Sequence, residues 1–198
     1  MRGDSRNLEH KVNRSVAHTG IVILLFTLAL VPEAKAQESL SPPPTLQAGA
    51  IELGVAGNLT TIEGITSGAV LLRGGLFRSA FGGLAGFELA TSYRHVSSLD
   101  QNGLEAILSW QTRLEQSSSY PFVSIAAGWR HEEIGSFGQS RYPLGFGLGV
   151  RSLLGQRSAL RVEYQFRRIL GDPIADFSEH QVVVGLSVFF RNAAPTGE

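Results

Sequence analysis

The sequence predicts an all-β chain, an eight-stranded antiparallel up-and-down transmembrane β-barrel. Three observations lead there. Beyond residue 46, Gly- and Ser-containing turn signals recur at regular intervals and mark off eight strand-like segments. Within those segments apolar and polar residues alternate with a period of two, and no helical period persists for three turns. The apolar face is bulky and aromatic, whereas the polar face is small, Gly-rich and charged with both signs. Eight strands enclose room for modest side chains only, so the bulky face must point outward. An apolar band outside and a polar face inside is the lipid-spanning arrangement.

The chain begins with a segment that does not belong to the barrel. Arg2, Arg6, Lys11 and Arg14 make a basic start, GIVILLFTLALV (20–31) is a 12-residue apolar run, and Ala34-Lys35-Ala36 has a small-x-small cleavage pattern. Residues 1–36 therefore read as a secretory signal peptide, the apolar run being shorter than the ~20 residues of a spanning helix. Removing them leaves 162 residues with 12 Arg, no Lys and 14 Asp plus Glu, a formal charge of −2. No basic patch remains to bind nucleic acid. The chain has no Cys, which removes disulfides, zinc–thiolate sites, iron–sulfur clusters and cysteine nucleophiles. QESLSPPPTL (37–46) reads as an extended, unpacked Pro/Ser linker, and 192–198 as a tail beyond a barrel spanning 47–191.

The eight segments follow in order. Gln47–Asn58 and Gly68–Arg78 alternate least cleanly, with Glu52 and Arg73 on their polar faces. Gly83–Arg94, after the break SAFGG, sets Phe87, Leu89, Thr91 and Tyr93 against Glu88, Ala90, Ser92 and Arg94. Gly103–Leu114 sets Leu104, Ala106, Leu108, Trp110 and Leu114 against Glu105, Ser109, Gln111 and Arg113. After EQSSS, Tyr120–Glu132 sets Val123, Ile125, Ala127 and Trp129 against Ser124, Gly128, Arg130 and Glu132. Arg141–Leu153 opposes Leu144, Phe146, Leu148 and Val150 to Gly145, Gly147, Gly149 and Arg151. Ser158–Ile169 is the clearest, with Leu160, Val162, Tyr164 and Phe166 against Arg161, Glu163, Gln165 and Arg167. Glu179–Arg191 closes the series with Val182, Val184, Leu186, Val188 and Phe190 on its apolar face.

Aromatic girdles are expected at both interfaces, Tyr93, Trp129 and Phe166 at one rim and Trp110 and Phe190 at the other. Outer loops of eight to eleven residues are expected at about 59–66, 95–102, 133–140 and 170–178. The expected lumen holds Glu52, Glu88, Glu105, Glu132 and Glu163 with Arg73, Arg94, Arg113, Arg130, Arg151, Arg161 and Arg167. Such charges must pair in a narrow space, which predicts a cross-linked plug; a small-solute pore is the competing use of the same lumen.

YPFVSIAAGWRHE (120–132), PLGFGLGVRSLLGQRSALRVEYQFRR (143–168) and HQVVVGLSVFF (180–190) together resemble the small outer-membrane β-barrels of the OmpA type. The resemblance implies periplasmic termini, a location in the Gram-negative outer membrane and insertion by the barrel-assembly machinery. It further implies contact with outer-membrane lipid and lipopolysaccharide, a monomer and no cofactor. A second resemblance, of YRHVSSLDQNGLE (93–105) to lipid A deacylases, implies an ester hydrolase with Ser97 as nucleophile, His95 as base and Glu105 orienting His95. Strand parity opposes it, because His95 and Ser97 continue the outward face whereas Glu105 points inward. The expectation is therefore a non-enzymatic, surface-exposed structural barrel, with a soluble periplasmic binding barrel as the other alternative. His131 and His180 lack metal-ligand spacing, and GFGLG (145–149) lacks the helix of a phosphate loop.

Overall fold

A computed structural model describes residues 45–62, 65–96, 99–114, 117–171 and 176–191. The described chain is a single closed barrel of eight antiparallel strands in sequence order. They are β1 (Ala50–Ile62), β2 (Ile65–Ala80), β3 (Gly83–Val96), β4 (Leu99–Gln111), β5 (Ser119–Ile134), β6 (Phe137–Leu153), β7 (Ser158–Leu170) and β8 (Phe177–Arg191). The last strand pairs with the first from Ala50↔Arg191 to Thr61↔His180, so the sheet has no free edge. Closure satisfies backbone hydrogen bonding without water, the condition for crossing a bilayer as strands.

The register fixes the width. A path across the ladder from Phe190 passes Ile51, Leu76, Phe87, Leu108, Ile125, Phe146 and Phe166, and returns to β8 at His180, ten residues displaced. A shear of ten over eight strands, with ordinary strand spacings, gives a backbone radius of about 8 Å and a tilt of about 43°. Side chains alone fill a cylinder that narrow.

Burial runs opposite to that of a soluble protein. Leu53, Leu72, Leu89, Leu104, Ile125, Phe146 and Leu186 are exposed, whereas Glu88, Arg151, Glu163 and Glu179 are at most 1% exposed. The outward residues of β7, Leu160 to Phe166, are half-buried between their neighbours. Val150 keeps the outward register, beside Pro121 and Val162, yet is buried. Of the girdle residues, Tyr93, Trp129, Trp110 and Phe190 are exposed on the outer wall, and Phe166 packs there against Phe146 with ring centroids 5.5 Å apart.

The ends of the strands differ from expectation. At the rim opposite the start of β1 the strands run through much of the expected loops: β1 reaches Ile62 and β2 begins at Ile65, β3 reaches Val96 and β4 begins at Leu99, β5 reaches Ile134 and β6 begins at Phe137, whereas β7 ends at Leu170 and β8 begins at Phe177. Polarity at 59–66 and 95–102 reads as loop in sequence. Above the apolar band, however, a strand has water on its outer face, and polar β-branched residues extend it, as in the Thr61–Thr66 hydroxyl pair at 3.1 Å. At the base, Phe81 and Gly82 join β2 to β3 with φ of 50° and 73°, the two positive values a type I′ hairpin demands. The Pro/Ser segment is not free to its end. Leu46 is buried against Phe77, Tyr120, Leu153 and Phe189, and its amide donates to Tyr120 Oη at 2.9 Å.

The inverted burial makes a depth-dependent prediction. Leu186→Arg, in the apolar band, should destabilise the inserted barrel by about 2–4 kcal/mol, whereas Phe137→Arg, at the exposed rim, should cost about 0–1 kcal/mol. A refolding titration into lipid vesicles measures both. Equal costs would remove the assignment of the outer wall to lipid.

Candidate functional site

The lumen is built from the inward-facing residues of all eight strands, and its contents change with height. At the base Phe77, Phe122, Phe189, Tyr120 and Leu153 close over the axis. Arg151 lies on this floor, its guanidinium 4.8 Å from the Phe77 ring centroid and 5.5 Å from that of Phe122, and Arg161 sits 4.5 Å over Phe122. The rings thus cover one face of each cation and leave the N–H edges for carboxylates.

Above the floor, Glu88 is the hub. Its carboxylate meets Arg161 at 2.5 Å, Arg151 at 3.5 Å and Arg73 at 3.7 Å, and accepts a bond from Ser109 at 3.0 Å. Arg151 also reaches Glu52 at 3.0 Å and hydrogen-bonds Gln111. Glu163 takes Arg73 at 3.2 Å, Arg161 at 3.0 Å and the Ser124 hydroxyl at 2.8 Å. Three arginines and three glutamates thus form one connected layer.

Nearer the rim lies a second layer. Arg130 forks onto Glu179 with N···O distances of 2.6 and 3.0 Å, and Gln181 donates to the same carboxylate at 3.1 Å. Arg167 forks onto Glu105 through both terminal nitrogens and also reaches Gln165 at 2.6 Å. Arg141 pairs with Glu132 at 2.9 Å. Arg94 donates to Thr60 Oγ1 at 2.7 Å. A cavity of about 10 Å³ lies among these upper residues.

Glycine makes space for the network. On β6, Gly147 could carry no Cβ, which would stand 2.5 Å from Ser124 Oγ and 2.6 Å from Glu163 Oε1; a Cβ at Gly149 would collide with the Phe122 ring. The GFGLG run is therefore a smooth inner wall against which the neighbouring strands' charges pack.

Most of the expected lumen residues are there, with three differences. Arg113 is exposed in the β4–β5 connection and donates to Ser117 O at 3.0 Å, because β4 ends at Gln111. Glu179 and Arg141 join the lumen; each stood at the first position of an expected strand, where inward parity was legible. The inward aromatics Phe77, Phe122 and Phe189 lie on the faces that alternation marks as polar.

Glu105 and His95 of the hydrolase reading do not meet. Glu105 is buried inside on Arg167, while His95 is exposed on the outer wall, its Nδ1 2.7 Å from Asp100 Oδ1. Ser97 lies outside the described residues. His180 bonds Tyr164 Oη through Nδ1 at 2.5 Å, and His131 stacks on Trp129 at 5.9 Å. Among the described residues no three His, Asp or Glu converge to hold a metal ion.

A closed barrel of eight antiparallel strands is the fold of the small outer-membrane barrels, and solved structures of that kind superimpose on it. Neisserial surface protein A aligns at a TM-score of 0.52 and 11% identity, over 71% of this chain and 96% of its own. The N-terminal β-barrel domain of Pseudomonas aeruginosa OprF aligns at 0.51 and 15% identity, over 72% of this chain and 98% of its own. The outer membrane enzyme PagL aligns at 0.44 and 11% identity, over 69% and 98%, too distant to bear on chemistry. No protein-family model matches the chain. No curated protein matches it by sequence.

The hub predicts unequal costs for removing carboxylates. Glu88→Gln leaves Arg73, Arg151 and Arg161 sharing one fewer buried anion and should lose about 3–5 kcal/mol of stability, whereas Glu133→Gln, exposed on the same barrel, should stay within about 0.5 kcal/mol. Urea unfolding of the two variants in detergent measures the contrast, and comparable losses would deny Glu88 its role.

Proposed function

We propose that the protein is a non-enzymatic integral protein of the Gram-negative outer membrane, delivered by the leader at residues 1–36, whose lumen its own side chains close to solutes. One observation carries the closure: each of the six luminal glutamates meets an arginine, and the pairs continue from the aromatic floor to Arg141–Glu132 near the rim. A solute would have to separate buried ion pairs, each costing several kcal/mol to break. The outward apolar band and the fold shared with surface protein A and the OprF barrel support the membrane location.

On this reading the partners are outer-membrane lipid along the wall, lipopolysaccharide at the rim and the barrel-assembly machinery during insertion. The barrel works as a monomer, since the closed sheet offers no edge to a second copy. Strands that run through much of the expected rim loops favour a membrane-embedded structural role over adhesion. The separation of Glu105 from His95 argues against the hydrolase.

Planar-bilayer recording at pH 7 should show no steady conductance. Purified protein in detergent should release no fatty acid from lipid A, with or without Ser97→Ala. Large, stable open events would overturn the closed lumen, and a Ser97-dependent release would overturn the non-enzymatic reading.

A further inference from the structure

Among the described residues the lumen does not balance its charge. Seven inward arginines, at 73, 94, 130, 141, 151, 161 and 167, face six glutamates, at 52, 88, 105, 132, 163 and 179. Six of the arginines have a carboxylate within salt-bridge distance. Arg94 has none among the described residues. It is only 6% exposed, its one hydrogen bond goes to the neutral Thr60 hydroxyl, and its Nε has no acceptor. A buried guanidinium without a counter-charge is costly, and unlike lysine it cannot shed its proton to escape.

The imbalance sits at a cavity. Arg94, Arg130 and Arg167 all line the 10 Å³ space, with Ser92, Gln101 and Gln181. Glu105 also lines it, but both its oxygens are taken by Arg167. The Arg130 partner Glu179 is not in the lining. Arg130 and Arg167 are each bound to a carboxylate, so the charge left without a salt bridge at the cavity is that of Arg94. Arg167 Nε, like Arg94 Nε, is buried without an acceptor, and the amide oxygens Asn58 Oδ1 and Gln101 Oε1 are buried without a donor. Turning the Gln101 amide over, an exchange of two near-equivalent orientations, would present its NH₂ instead.

We infer that this cavity is a binding site for one small monovalent anion of halide size, with Arg94 as its principal ligand and chloride as the physiological occupant. The volume holds about one water-sized species, which chloride exceeds only slightly and sulfate or phosphate far exceeds. Two guanidinium donors of the lining, Arg94 Nε and Arg167 Nε, lack acceptors, and the unoffset charge of Arg94 leaves the lining net positive, which suits an anion better than a cation. An ion here would complete the charge balance of the upper layer and join β3 to β5 and β7 across the axis. The site does not require the lumen to be closed, so halide binding and conductance are separate readouts.

Full-length protein in detergent tests it in two ways. In thermal unfolding with sodium chloride replacing sodium gluconate at fixed ionic strength, Tm should rise saturably. A rise of about 3 °C is expected once chloride exceeds its dissociation constant about tenfold. Sodium sulfate, a general stabiliser, should give only an unsaturating rise that Arg94→Gln retains, whereas Arg94→Gln should abolish the saturable chloride rise. Crystals of the unaltered protein soaked in sodium bromide should show an anomalous peak within hydrogen-bond reach of the Arg94 guanidinium, whether or not the variant folds. A bromide map with Arg94 ordered and no peak beside it would overturn the inference. So would a chloride response retained in full by Arg94→Gln.

Discussion

Everything inside the barrel follows from the cost of an unpaired buried arginine. Glu88 is where that cost is met most economically, one carboxylate serving Arg73, Arg151 and Arg161 from three different strands. Because each of those arginines also holds a second acceptor, the contacts cannot be treated as independent pairs. Such a layer cross-braces β1, β2, β3, β6 and β7 through the axis, where a soluble protein would use an apolar core. The hydrophobic effect acts mainly on the outer wall, whose leucines and phenylalanines leave water for lipid on insertion and make no contact across the axis. Cohesion falls to the closed backbone ladder and to the luminal charges.

The ladder sets the terms for the charges. A shear of ten fixes a narrow cylinder, and a narrow cylinder admits large inward side chains only opposite small ones. Hence the glycines of β6 face Phe122 and Glu163, and Gly75 and Gly86 lie against Glu88 and Phe77. Size alternates across the lumen as sign does. Charge is confined to the middle and upper levels because the floor is aromatic, and the floor uses cation–π contacts to hold Arg151 and Arg161 where their N–H edges meet the hub.

The fold was legible because a strand that divides two environments must alternate, and β3 to β8 alternate without ambiguity. Inward parity identified eleven of the thirteen luminal charges, Glu52 and Arg73 among them although β1 and β2 are untidy. Among the described residues the expected set lacked Glu179 and Arg141, included Arg113 wrongly and gave no sign of the inward aromatics. Arg113 keeps parity with β4 but lies past its end, and parity carries no information on where a strand stops. Phe77, Phe122 and Phe189 break the polar pattern because the base of the lumen lies beyond the charged layers, and alternation records direction rather than height. The rim turns escaped for a related reason: polar residues mark a loop only when the strand below them ends at the membrane surface.

Which carboxylate meets which arginine was not legible at all, since pairing depends on shear. Arg73 on β2 reaches Glu163 on β7, ninety residues away, only because the tilt of about 43° carries distant strands to one height. The absence of lysine after residue 36 has its reason in the same geometry. Arg130 grips both oxygens of Glu179, and Arg161 spans Glu88 and Glu163 with opposite ends of one planar group. An ammonium is a point charge on a flexible stem and can bind either carboxylate but cannot set the distance between two. A lumen braced by bridges rather than by packing therefore selects arginine. The same selection leaves Arg94, the seventh, unable to neutralise itself when the sixth carboxylate has been used.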